Sequence, residues 1–159
     1  MRLMYLQPAE GFGGAERQGA LHIRRLLDLG FDVLPVIGPG EPMRHVLESM
    51  GVHDYVHLKN FFSELDRPVS PFGYVANAVR STRNIASMLL TLKQLARSRR
   101  TELIFASRSF GWITASPVAH SLGLPLVWRG GSRTTSRREE LALTAFARIW
   151  GPDALICNC

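Results

Sequence analysis

The residues here best suited to chemistry run from Gly11 to Arg17: Gly11-Phe12-Gly13-Gly14-Ala15-Glu16-Arg17. They lie between a short apolar run, Leu3–Leu6, and a segment of helical periodicity that opens near Ala15-Glu16. A glycine loop between a strand and a helix lets backbone approach a ligand closely. The helix N-terminus behind it presents free N–H groups and a partial positive charge, which favours phosphate or another anion. The dinucleotide fingerprint needs glycine at its first, third and sixth positions and an acid at the end of the second strand. Here the sixth position is Glu16, and Ile37-Gly38-Pro39-Gly40 supplies no acid. No Lys-Ser or Lys-Thr follows the glycines, so the loop is not a P-loop either. The competing reading is purely structural, with glycines that only make a tight turn and let the helix pack closely.

Three arginines stand at or near predicted strand ends. Arg129 and Arg133 follow the run Leu126–Trp128, and Arg108 follows Leu103–Ala106. A guanidinium there can grip phosphate or carboxylate with two parallel hydrogen bonds. Each can equally be a solvated loop residue. His120 falls inside a helix and reads as structural. Cys157 and Cys159 have no His or acidic neighbours to complete a metal site and make no disulfide framework. The expectation is no metal, no cofactor and a cytoplasmic location.

The elements that must position these residues alternate strand and helix. Strands are predicted at Leu3–Leu6, Asp32–Ile37, Tyr55–Leu58, Leu103–Ala106, Leu126–Trp128 and Ala154–Cys157. Helices are predicted from Ala15 to Gly30, Pro42 to Met50, Val75 to Arg97, Phe110 to Leu122 and Glu139 to Trp150. In the third of these, Val75, Ala78, Thr82, Ile85, Leu89, Leu92 and Ala96 fall within roughly a 100° arc. Gly30, Gly51 and Gly123 are helix stops. Pro35 argues for an edge or irregular strand, and Pro117 interrupts its helix. Asn60–Gly73, with Pro68 and Pro71, reads as a loop with room for one helical turn. Short apolar strands separated by helices make a parallel sheet covered on both faces. The fold class is therefore α/β, a Rossmann-like, doubly wound, mainly parallel sheet of six strands in a single domain over residues 1–159.

The 159 residues carry a formal charge of +6, nearly all of it arginine, with clusters at Arg97–Arg100 and Arg129–Arg138. Such a balance suits nucleic acid, anionic lipid or phosphorylated ligands, or a merely solvated face. Aromatic residues do not interleave with the arginines and no RNA or DNA motif is present, so a nucleic-acid partner is not expected. No apolar run reaches the roughly 18 residues of a membrane span. The N-terminus meets Pro8, Glu10 and glycines where a signal peptide would continue apolar.

Gly13-Gly14-Ala15-Glu16-Arg17 resembles the loop near the N-terminus of family 4 retaining glycosyltransferases of the GT-B fold. Three further segments are similar to that family in the same order: Leu29-Gly30-Phe31-Asp32-Val33, Leu122-Gly123-Leu124-Pro125-Leu126-Val127, and Asp153-Ala154-Leu155-Ile156-Cys157-Asn158-Cys159. The resemblance spans the whole chain and implies an N-terminal, acceptor-side half of a nucleotide-sugar glycosyltransferase that transfers a hexose. The implied partners are a nucleotide-sugar donor, held mostly by a C-terminal domain, and a carbohydrate or lipid-linked acceptor, with peripheral membrane contact. Gly13, Gly14, Glu16, Arg108, Arg129 and Arg133 are the candidate substrate-binding residues. By the family's pattern Gly13 and Gly14 lie against the donor's diphosphate or transferred sugar, and no metal is needed. The sequence stops where the donor domain would follow, so this chain alone is expected to be inactive. The family often places a histidine just after the fifth strand, where this sequence has Arg129-Gly130-Gly131. The alternative is a non-catalytic Rossmann-type module that docks on a partner chain or membrane through Phe61-Phe62 and the basic stretch Arg97–Arg100.

Overall fold

The computed structural model describes residues 1–8, 13–58, 71–130 and 137–157. Its strands are β1 (Arg2–Gln7), β2 (Asp32–Ile37), β3 (Val56–His57), β4 (Leu103–Ser107), β5 (Leu126–Gly130) and β6 (Ala154–Cys157). Its helices are α1 (Gly14–Asp28), α2 (Glu41–Ser49), α3 (Pro71–Ser98), α4 (Arg108–Leu122) and α5 (Arg137–Trp150). The strands form one sheet of order β3-β2-β1-β4-β5-β6, parallel at every pairing. The chain winds outward from β1 to β3, then returns to β4 beside β1 and winds the other way. The order thus reverses between β1 and β4, where such sheets open a crevice beyond the carboxyl ends of the strands.

Alternation along the strands builds two cores. Met4, Leu6, Ile104, Ala106, Leu126 and Trp128 face α3 and α4, which bring Met88, Leu92, Ala96, Ala115, Val118 and Ala119. Leu3, Tyr5, Val33, Ile37 and Phe105 face α1 and α2, which bring Ala20, Ile23, Met43 and Leu47. Covering such side chains contributes roughly 1.5–3 kcal/mol each. The second layer is shorter than expected. Among the described residues, no helix lies over β5 and β6 on the α1 side, and all four residues of β6 are exposed.

Helix ends follow the sequence closely. Gly30, Gly51 and Gly123 take positive φ. Each is followed by an amide that bonds back into the last turn, Phe31 to Leu26, Val52 to Leu47 and Leu124 to Ala119. α3 ends the same way with Arg100 at φ 52, which the sequence does not signal.

Two prolines behave differently from expectation. β2 is not an edge strand, since β1 and β3 flank it. The amides of Asp32 and Gly38 donate to Met1 and Gln7, so even-numbered residues of β2 donate toward β1. Pro35 therefore turns its missing donor toward β3, and β3 pairs only with Val36 and Ile37. No ladder bond is lost. Pro117 does not interrupt α4, which runs unbroken from Arg108. Ser116 Oγ donates to the carbonyl of Trp112 at 2.7 Å, and Thr114 Oγ1 to those of Phe110 and Gly111. Hydroxyls thus engage carbonyls in the turn before the proline, while packing on both α3 and the sheet holds the helix together. α3 starts at Pro71, so the last residues of the expected loop Asn60–Gly73 are helical and its remainder lies outside the described residues.

Candidate functional site

The carboxyl ends of β1, β4 and β5 carry a polar row beyond their apolar middles. Tyr5 and Phe105 stack with ring centroids 4.7 Å apart, and Val127 sits opposite Phe105 on the same face. Two residues further along each strand, that face presents Gln7, Ser107 and Arg129, with Ser107 and Arg129 in register. They are 1%, 2% and 4% exposed, so this is a buried polar floor. Ser107 Oγ donates to Gln7 Oε1 at 2.5 Å and lies 3.1 Å from the carbonyl oxygen of Leu6.

α1 closes over this floor with its first two turns. Gly19 is its point of nearest approach, where a Cβ would stand 2.5 Å from Gln7 Oε1. Glu16 is buried beside it and accepts a hydrogen bond from the amide of Gly13, the residue that caps α1, at 2.8 Å. Gly13 has no side chain with which to return that bond, so only half of a capping box forms. Arg108 Nη1 lies 2.7 Å from Glu16 Oε1, off the direction of its N–H bonds, so the contact is an ion pair rather than an aligned hydrogen bond. Arg108 reaches it from a left-handed backbone, φ 64, at the first position of α4. α4 has no side-chain cap, because the hydroxyl of Ser107 is engaged with Gln7.

Three of the predicted site residues, Gly13, Glu16 and Arg108, therefore form one cluster. Gly14 adjoins it, and no described atom stands within 4 Å of where its Cβ would be. Arg129 requires a correction. It is not in the polar segment after the fifth strand but inside β5, buried, because β5 extends to Gly130 and pairs on both sides. Arg133, Gly11 and Phe12 lie outside the described residues.

Among the described residues the charges on the floor do not cancel. Glu16 has Arg108 as its partner. Arg129 has no described carboxylate partner, and neither its Nε nor Gln7 Nε2 makes a hydrogen bond to a described atom, while its guanidinium lies close to the Tyr5 hydroxyl. Among the described residues no carboxylate offsets this buried guanidinium, and a buried cation is costly without an acceptor. Its field reaches its neighbours. Burial raises the pKa of the Tyr5 hydroxyl, with the nearby charge of Arg129 opposing. Burial of the His22 ring on α1 lowers its pKa, and Arg129 lowers it further. His22 is thus biased toward the neutral form. His120 sits away from this cluster, with Nε2 3.1 Å from the carbonyl oxygen of Gly151, tying α4 to the turn after α5. Among the described residues, no group of three or more His, Cys, Asp or Glu could hold a metal ion.

Sequence reasoning missed Tyr5, Gln7, Gly19, His22 and Ser107. Gln7 and Ser107 had one readable signal, a polar residue directly after an apolar strand run. That they meet across the sheet depends on register.

The fold is shared with known structures. HepE of Anabaena, solved in complex with UDP and glucose, matches with a TM-score of 0.64 at 15% identity, over 97% of this chain and 37% of its own. The fold is the GT-B type of Rossmann-like domain. SsfS6, a glycosyltransferase of Streptomyces sp. SF2575, matches with a TM-score of 0.60 at 18% identity, over all of this chain and 50% of its own. A UDP-N-acetylglucosamine 2-epimerase matches with a TM-score of 0.61 at 12% identity, over 99% of this chain and 41% of its own. The present chain thus spans between about a third and a half of these structures. No protein-family model and no curated protein sequence matches this one.

Proposed function

We propose that this chain is the N-terminal, acceptor-side domain of a glycosyltransferase that moves a hexose from a nucleotide-sugar donor, the donor being held mainly by a C-terminal domain. The observation that carries this reading is the buried floor of Gln7, Ser107 and Arg129 beneath the N-terminus of α1, with no carboxylate partner for Arg129 among the described residues and no described atom within 4 Å of a Cβ at Gly14. It lies at the reversal of strand order, where a fold of this kind binds its ligand. When the sugar–phosphate bond breaks, negative charge gathers on the departing diphosphate. Preorganised amides at a helix end and a buried guanidinium oppose it without a metal ion. Arg129 is assigned to that charge or to an anionic acceptor group, and Arg133, in the segment between β5 and α5, to the same ligand. Glu16 and Arg108 hold the glycine loop in place. The domain works in the cytoplasm. The likeness to structures holding UDP and glucose supports the donor class.

The test is release of UDP from UDP-glucose. The 159-residue chain alone is expected to give none. Joined to its donor-binding domain it is expected to turn over, and Arg129→Met, which keeps the buried volume, should lower turnover by about a hundredfold or more. Robust turnover by the isolated chain would refute the half-enzyme reading, and undiminished turnover by Arg129→Met would refute the role of the floor.

One observation favours a second reading, a non-catalytic binding module. β6 is exposed along its length, and Leu155 and Ile156 make an apolar edge suited to a partner chain. Absence of turnover in every combination, with stoichiometric capture of a partner lost in Ile156→Glu, would favour it.

A further inference from the structure

Acidic and basic residues are segregated in this chain. Residues 67–138 contain twelve of its nineteen basic residues and one acidic residue, Glu102. The stretch includes all of α3 and α4, which lie on the same side of the sheet. In the opposite layer Arg24 pairs with Asp28 at 2.9 Å and Arg44 with Glu41 at 3.0 Å, while Arg17 and Arg25 have no ion-pair partner among the described residues. On α3, Arg83, Lys93 and Arg97 have no ion-pair partner among the described residues.

These three lie on one stripe. Arg83, Ala86, Leu90, Lys93 and Arg97 are spaced by three and four residues and fall within roughly an 80° arc of the helix. The stripe runs about 21 Å along the axis. Leu90 in its middle is 63% exposed. Beside it, α3 and α4 leave a groove of about 370 Å³, lined by Ala86, Leu89, Leu90, Lys93, Pro117 and Val118, with Ser121 at its end. Apolar walls flanked by cations that have no ion-pair partner among the described residues suit an amphiphile with a negative head. A nucleic acid would want stacking aromatics, and none lines the groove.

We propose that the α3–α4 face docks on an anionic lipid bilayer, with Leu90 and the groove taking an acyl chain and Arg83, Lys93 and Arg97 meeting the headgroups. The surface potential of such a bilayer contributes about 1 kcal/mol for each basic side chain near it, and the contribution fades within a Debye length. No described helix is long and apolar enough to cross the membrane, so attachment is peripheral and salt-sensitive. The docking face is distinct from the crevice at the strand ends, so an acceptor at the bilayer surface could be presented to a site that remains open. The other segment with a membrane reading, Phe61-Phe62, lies outside the described residues, and Arg99 is engaged by Asp54 at 3.3 Å.

The test is co-sedimentation with vesicles of phosphatidylcholine alone and with about a third phosphatidylglycerol. The protein should bind the second and not the first. Lys93→Gln and Arg97→Gln should each weaken binding about fivefold. Leu90→Ser should also weaken it, and Arg25→Gln, the same charge change on α1, should not. These side chains are at or near the surface, and an unchanged melting temperature confirms folding. Equal binding to neutral vesicles, or none to either, would overturn the proposal. So would wild-type binding by Leu90→Ser, which would leave only a charged face. Tight, salt-sensitive binding to a single-stranded oligonucleotide, lost in Lys93→Gln and absent with vesicles, would make this a nucleic-acid surface instead. None of these readouts depends on sugar transfer.

Discussion

Replacing Gly19 by alanine sets two effects of opposite sign against each other. In a solvent-facing helix interior the change gains about 1 kcal/mol, since alanine is the better helix former. Here the new methyl would stand 2.5 Å from Gln7 Oε1 and 2.8 Å from Gln7 Cδ. Gln7 cannot simply swing aside, because it is buried and Ser107 donates to the same oxygen. Overpacking of this kind costs about 1–3 kcal/mol, and losing the buried Ser107–Gln7 bond costs about 1–3 more. The net expectation is a loss of about 1–5 kcal/mol, seen as a lower urea midpoint at unchanged slope. At this chain length Tm should fall by roughly 2–4 °C for each kcal/mol. Gly14→Ala is the control, with nothing within 4 Å of its new methyl, and should stay within about 0.5 kcal/mol of wild type. In a Gln7→Ala background, Gly19→Ala should become neutral or stabilising, a coupling of about 1 kcal/mol or more. If Gly19→Ala stabilises the protein with Gln7 intact, the close approach of α1 to the polar floor is wrong, and with it the buried site built on that approach.

Other expectations test the same cluster. Arg108→Gly and Arg108→Ala both remove the charge facing buried Glu16, but only glycine relieves the left-handed backbone at φ 64. Arg108→Gly should therefore be more stable than Arg108→Ala by about 1–2 kcal/mol in urea unfolding, and equal stabilities would refute the strain. His22 has its folded pKa lowered by burial and then by Arg129. Below about pH 6.5 the unfolded chain then binds a proton that the folded chain resists, so stability falls as pH falls through that range. Replacing His22 by glutamine should flatten this slope, and Arg129→Met should reduce it; a slope indifferent to both would remove the coupling. Gly14→Ala, neutral for stability, should impair turnover of the complete enzyme if the space above it receives substrate. Unchanged kinetics would return that glycine to a turn-forming role.

Order and type of the elements were legible because their signals are local. Continuous apolar runs marked the strands, spacing by three and four marked the helices, and glycines after the periodic segments marked the stops of α1, α2 and α4. The glycine loop before α1 was legible for the same reason, and it led to Gly13, Gly14 and Glu16. Ends drawn by composition were less secure. A polar residue after an apolar run reads as the start of a loop, so Ser107 and Arg129 were left outside strands that include them. Nothing along the chain signals that α3 ends on a left-handed arginine, because the cost of that conformation is met by packing elsewhere.

Periodicity, turn chemistry and charge are properties of neighbours along the chain. The amino-acid order alone was therefore enough to specify a parallel α/β sheet, a glycine loop at its first helix and a basic tract in its second half. Three-dimensional packing was needed to establish that Glu16 and Arg108 neutralise each other, that Gln7, Ser107 and Arg129 share one buried row, and that Pro35 faces a gap in the ladder. Those facts depend on register between strands far apart in sequence and on how closely α1 settles on them. Shifting a strand by one residue would turn each of these side chains to the other face, and nothing local in the chain records which register wins.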